Sequence, residues 1–216
     1  VKAVFEGKAD AVIVHKGLTR YIHEWMEPAK GELIVHLSAS TNLSPMPNRK
    51  ELVSSVKHAL RVGATAVSVH VNLADQHEPE MLKDLGVIAE ECDFWGLPLL
   101  AMMYVRDGER ESEYDPVKIA HAARVAEELG ADIVKVNYTG SPESFTEVTG
   151  SVKIPVLIAG GPRMNSTEEL FDMIRGALQS GAAGVSIGRN IFQAPDPASL
   201  ARKIRHILDT DAGNHH

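Results

Sequence analysis

Strand-like and helix-like segments alternate along this chain with a period of about 30 residues, the length of one parallel strand–helix unit. That rhythm constrains the fold more than any single motif does. Short apolar runs predict strands at Ala11–His15, Leu33–Ser38, Ala64–Val71, Pro98–Val105, Ala131–Tyr138, Ile154–Ala159 and Ala182–Gly188. They are rich in Val, Ile, Leu and Ala, as strands buried on both faces should be. Helical periodicity fills the intervals at Lys50–Val62, Pro79–Phe94, Pro116–Leu129, Thr167–Gln179 and Ala198–Leu208. Gly63, Gly96, Gly130 and Gly181 follow four of these helices, where a left-handed residue closes the last turn. The fold expected is α/β, a (β/α)8 TIM barrel. Seven strands are visible, and Val1–Gly7 reads as the end of a helix. The first barrel strand is therefore expected upstream of Val1. Residues 1–209 should form one barrel domain, and 210–216 a tail whose His215 and His216 look like a tag remnant. An open doubly wound sheet is the competing fold, but no G-x-G-x-x-G follows the first strand and no P-loop occurs.

Lys135 stands out within this frame. It lies inside Ala131-Asp-Ile-Val-Lys-Val-Asn-Tyr138, on one face with Ile133 and Asn137. Desolvation disfavours a buried ammonium, so the amine becomes neutral and nucleophilic, able to form a Schiff base with a carbonyl substrate. A lysine paired with a carboxylate inside the barrel is the plain structural alternative. Lys16, at the end of the first visible strand, is a rival amine nearer the rim. Tyr104 closes the preceding strand on the face of Leu100 and Met102, where a hydroxyl could relay protons. Taken alone, a strand-end tyrosine is more often a packing residue with its hydroxyl in water.

Barrel enzymes often bind phosphate in the loops after the last two strands. Here those loops carry Gly160-Gly161-Pro162 and Gly188-Arg189, with backbone N–H donors and one guanidinium. Ser38, His70 and Asn137 are weaker candidates for substrate contact. No set of His, Cys, Asp or Glu has metal-ligand spacing, so no metal and no cofactor is expected. A serine-nucleophile elbow is not expected either. The charged stretch Arg106–Asp115 is a solvated rim or a lid.

The net charge of −7 and the pI of about 5.8 argue against a nucleic-acid partner. No apolar run approaches a membrane span, and no signal peptide is visible. The single cysteine, Cys92, falls on an apolar helix face and suits a reducing cytoplasm.

With these residues named, the chain resembles the class I aldolase family of archaeal fructose-bisphosphate aldolase and deoxyribose-phosphate aldolase relatives. The resemblance rests on His36–Pro45, Ala101–Tyr104, Ala131–Gly140, Ile158–Pro162 and Gly184–Phe192, and runs from about Ala11 to about Ile207. It implies that Lys135 is the Schiff-base lysine, that Tyr104 is the catalytic tyrosine, and that Gly160, Gly161, Gly188 and Arg189 bind substrate phosphate. It implies a phosphorylated ketose donor and an aldehyde acceptor. The likeness is greatest to synthases that use L-aspartate semialdehyde on a route to aromatic precursors. A fructose-bisphosphate aldolase and an enzyme joining dihydroxyacetone phosphate to aspartate semialdehyde are the near alternatives. A non-catalytic phospho-sugar- or flavin-binding barrel is the distant one. The family also implies a homo-oligomer, often a decamer. Its first-strand aspartate, within a Met-Asp-His-Gly type segment, has no counterpart in this sequence.

Overall fold

The computed structural model describes residues 1–22, 24–25, 31–162, 164 and 166–211. Seven strands form one parallel sheet in the order β1-β2-β5-β6-β7-β8-β9. They are β1 (Ala11–His15), β2 (Glu32–His36), β5 (Ala66–Leu73), β6 (Leu99–Val105), β7 (Ile133–Val136), β8 (Val156–Ala159) and β9 (Gly184–Ser186). The edge strands β1 and β9 both line one cavity, so the sheet curls around it as an open barrel. A separate antiparallel ribbon pairs β3 (Ser38–Ala39) with β4 (Glu51–Leu52). The helices are α1 (Lys2–Glu6), α2 (Val56–Arg61), α3 (Glu78–Trp95), α4 (Pro116–Glu128), α5 (Pro142–Thr149), α6 (Thr167–Gln179), α7 (Arg189–Phe192) and α8 (Pro197–Asp211).

Side-chain alternation sorts the sheet into two faces. Leu33, Val35, Val67, Val69, Ala101, Met103, Val134, Val136 and Ile158 are fully or almost fully buried in the main hydrophobic core. Ile34, His36, Met102, Ile133, Lys135 and Leu157 point the other way and line the cavity. Burial on both faces was therefore the wrong expectation for several strands. In β2 and β7 the outer residues are buried while the inner ones stay partly accessible.

Local chemistry starts the helices where polar caps stand. Ser55, Asp115, Ser141 and Ser166 each accept a backbone N–H from the first turn that follows. Gly63, Gly96, Gly130 and Gly181 all take positive φ, as expected for residues ending helices.

The expected helix over Lys50–Val62 is corrected. Glu51–Leu52 pairs with Ser38–Ala39, and Ser55 caps a helix that begins only at Val56. The expected strand Leu33–Ser38 likewise divides between the barrel sheet and this ribbon. The last strand ends at Ser186, two residues earlier than expected. Helix α8 continues through Asp211, past the expected boundary at 209. The tag-like His215 and His216, with the rest of 212–216, lie outside the described residues. Helix α5, with its Ser141-Pro142 start, and the single turn α7 had no counterpart in the sequence reading.

Candidate active site

Parallel register brings the candidates to one end of the sheet. Met102 pairs with Lys135, and Lys135 with Leu157. On the other side of β6, Asn72 pairs with Tyr104 and His70 with Met102. Lys135 thus sits in the inner wall of a cavity of about 600 Å³, with His15, His36, Met102, Ser186 and Gly188 among its neighbours on that wall.

The amine has no carboxylate partner among the described residues. Burial lowers its pKa to about 8, and the Arg189 guanidinium adds to the shift. The internal ion pair that the sequence left open is absent there, which leaves a desolvated amine facing open space. The rival Lys16 opens an exposed 3₁₀ turn, Lys16–Tyr21, and bonds the Val53 carbonyl. It does not line the cavity.

Tyr104 is clamped from two sides. The His70 ring lies 4.9 Å from its own ring, and the Arg106 guanidinium sits 5.2 Å over it. Burial raises the phenol pKa to about 12, against the opposing charges of Arg106 and Arg189. The phenol therefore stays protonated and able to donate. Arg106 is fixed by Glu113 at 2.6 Å and by the Val105 carbonyl at 3.0 Å.

The weaker candidates separate into different roles. Asn137 donates to the Glu113 carbonyl at 3.1 Å, so it ties the end of the Lys135 strand to the loop that follows β6, and it does not line the cavity. Ser38 is buried, and its hydroxyl accepts the His70 backbone N–H at 2.9 Å. His70 shares a 2.9 Å hydrogen bond with Asn72, and burial lowers its pKa to about 3. All three are thus engaged with protein groups. The stretch Arg106–Asp115 is anchored: it forms a 3₁₀ turn, Glu111–Tyr114, and Lys118 bonds both Asp107 and Ser112.

The glycine loops converge. A Cβ on Gly160 would stand 2.7 Å from the Ile187 Cγ2 atom, so only glycine lets these two loops touch. Gly161 has a φ of 63°. Asn190, absent from the sequence candidates, holds the pair together. Its amide donates to Gly160 O at 2.7 Å and Pro162 O at 3.1 Å, and its oxygen accepts from Met164 N at 2.8 Å. A polar residue beside Gly188-Arg189 was the only sequence sign of it. The string Gly184-Val-Ser-Ile-Gly188 does have G-x-S-x-G spacing, contrary to expectation. Ser186 nevertheless ends β9 and has no His or carboxylate bonded to it among the described residues, so no nucleophile elbow forms.

The model of the DeoC/LacD family aldolase matches residues 1–194. The chain belongs to this family. It is 47% identical over 200 residues to the 2-amino-4,5-dihydroxy-6-oxo-7-(phosphonooxy)heptanoate synthase of Streptomyces griseus, covering 92% of this chain and 72% of that protein. It is 44% identical over 207 residues to 2-amino-3,7-dideoxy-D-threo-hept-6-ulosonate synthase 1 of Archaeoglobus fulgidus, covering 96% of this chain and 75% of that protein. Among solved structures, it matches an archaeal fructose-1,6-bisphosphate aldolase whose catalytic lysine is covalently bound to the carbinolamine intermediate of the substrate. That match has a TM-score of 0.89 and 30% identity over 96% of this chain and 81% of the other. The α/β open barrel is the scaffold of an aldolase-type enzyme.

Proposed function

We propose that this DeoC/LacD family member is a Schiff-base aldolase or transaldolase that uses Lys135 as its nucleophile. The observation that carries the reading is the buried Lys135 amine, held without a carboxylate in the cavity wall. Neutral Lys135 attacks the ketone of a phosphorylated ketose, giving a carbinolamine. Tyr104 donates a proton as hydroxide leaves as water, and an iminium forms. The iminium withdraws the electron pair of the breaking C–C bond while the Tyr104 phenolate takes the hydroxyl proton of the departing carbon, which leaves an enamine and releases an aldehyde. The enamine carbon then attacks the acceptor aldehyde, whose oxygen takes up the Tyr104 proton. Water hydrolyses the new iminium and restores the Lys135 amine. Backbone N–H groups of Gly160, Gly161 and Gly188, with the Arg189 guanidinium, hold the donor phosphate.

The synthase relatives at 44% and 47% identity support L-aspartate semialdehyde as the acceptor, in the supply of aromatic precursors. The likeness in fold to an archaeal fructose-bisphosphate aldolase, at a TM-score of 0.89, favours a second reading within the same chemistry. A substrate panel separates them. Product from a ketose phosphate and L-aspartate semialdehyde, without cleavage of fructose 1,6-bisphosphate, is expected; the reverse pattern assigns the protein to bisphosphate cleavage.

A homo-oligomer in the cytoplasm completes the proposal. It is supported by family resemblance, by exposed Phe94 and Val117 on the outer helices, and by the single buried cysteine. Among the described residues, no helix is long and apolar enough to cross a membrane.

A further inference from the structure

The mouth of the sheet carries a second group of cations, away from the glycine loops. Lys50 stands just before β4, and its ammonium is half-buried. It donates to the Ser40 hydroxyl and, at 2.9 Å, to the Pro47 carbonyl. Both partners are neutral, and no carboxylate among the described residues lies within ion-pair distance. An ammonium has three donors, so one remains for another partner.

The neighbours make this position unfavourable for an unaccompanied cation. Burial lowers the Lys50 pKa, and the Arg106 guanidinium lowers it further; only Asp75 opposes them. The Lys50 charge in turn reaches His36 and His70 and helps hold both imidazoles neutral. Arg106 has one carboxylate, Glu113, and His70 and Tyr104 pack beside it. The loop is also pinned to the sheet, because Asn72 at the end of β5 donates to the Asn48 carbonyl at 2.6 Å. Lys50 is therefore held where its charge is poorly compensated.

Strand order gives the group a direction. Lys50, His70 and Arg106 lie over β2, β5 and β6, whereas the glycine loops follow β8 and β9. Lys135 on β7 stands between the two groups. A substrate with an anionic group at each end would place its reacting carbon near the middle, beside the amine.

We propose that Lys50, on the loop pinned to the end of β5, forms with Arg106 over the Tyr104 ring an anion subsite for the acceptor half of the reaction, binding the carboxylate or phosphate carried by the aldehyde. The proposal rests on the aldolase reading above and extends it. The subsite makes acceptor charge a determinant of specificity, because a neutral aldehyde leaves the Lys50 cation uncompensated.

The test uses wild type, Lys50→Met and Lys50→Arg. Donor imine formation at Lys135 is trapped with borohydride in each, and acceptor KM is measured for L-aspartate semialdehyde, glyceraldehyde 3-phosphate and neutral glyceraldehyde. Lys50→Met is expected to raise the anionic-to-neutral KM ratio by roughly 10–100-fold, the scale of one lost charge-assisted contact, while donor still traps at Lys135. Lys50→Arg is expected to restore most of that ratio. The anionic acceptor that suffers more identifies carboxylate or phosphate as the group bound. An unchanged ratio in Lys50→Met, with trapping intact, overturns the subsite. Absence of donor trapping in folded wild type overturns the aldolase reading instead. Direct titration with inorganic phosphate then still decides the subsite, which requires weaker or fewer binding events in Lys50→Met than in wild type.

Discussion

Lys135 and Arg189 act on each other through charge. The pKa near 8 comes first from burial and second from the Arg189 guanidinium. Only the neutral amine is a nucleophile, so imine formation should rise with pH up to about 8 and then level. Replacing Arg189 with Gln removes a positive neighbour, lets the amine pKa rise and moves that limb to higher pH. The rate of trapping with unphosphorylated dihydroxyacetone measures this without involving the phosphate site. An unmoved limb would assign the whole shift to burial. The lysine itself was readable from the sequence, because one charged side chain interrupts an otherwise apolar strand. Its lack of an internal carboxylate was not readable, since that depends on which strands border β7. The roles of Ser38, His70 and Asn137 were hidden for the same reason. Ser38 bonds the His70 backbone, the His70 ring packs on Tyr104 and Asn137 bonds Glu113, all contacts at least 24 positions apart in the chain.

At the scale of elements, one loop pair builds the glycine side of the site. The loops after β8 and β9 meet through Gly160 against Ile187 and through the three hydrogen bonds of Asn190. Asn190→Ala leaves those backbone groups without their partner, at a cost of about 1–3 kcal/mol for a buried unpaired group. It should also raise KM for a phosphorylated donor more than for its unphosphorylated analogue. Urea midpoints and donor kinetics check the two parts. Of the elements, those with strong apolar patterns were legible: β6, α3, α4 and α6 lie within a residue or two of their expected bounds. The Lys50–Val62 region was not, because Ser38–Ala39 recruits Glu51–Leu52 into a ribbon that no local periodicity encodes. That ribbon sets the position of Lys50. Short α5 and α7 escaped because one or two turns carry too little periodicity to be read.

For the whole molecule, the open barrel places a few titratable groups on a mainly apolar inner face. The inner face holds neutral His36, with a pKa lowered to about 4 by burial first and then by the charges of His15, Lys135 and Lys50. His70 is lowered to about 3. The unfolded chain, with histidines near 6.5, binds more protons than the folded one below that pH. Stability from these two groups is complete above 6.5 and is lost as pH falls toward 3–4. Urea midpoints should decline across that window, with a shallower slope in His70→Asn. The rhythm of strands and helices made the α/β barrel legible early. It did not show that the inner strand faces line an accessible cavity, which depends on how far the sheet curls.

The central claim is covalent chemistry at Lys135. Borohydride reduction in the presence of dihydroxyacetone phosphate or a ketose phosphate, followed by peptide mass mapping, tests it most directly. A reduced adduct on Lys135, absent from Lys135→Met, is the predicted result. An adduct on Lys16 or Lys50 alone, or none with any donor in the folded protein, would contradict it.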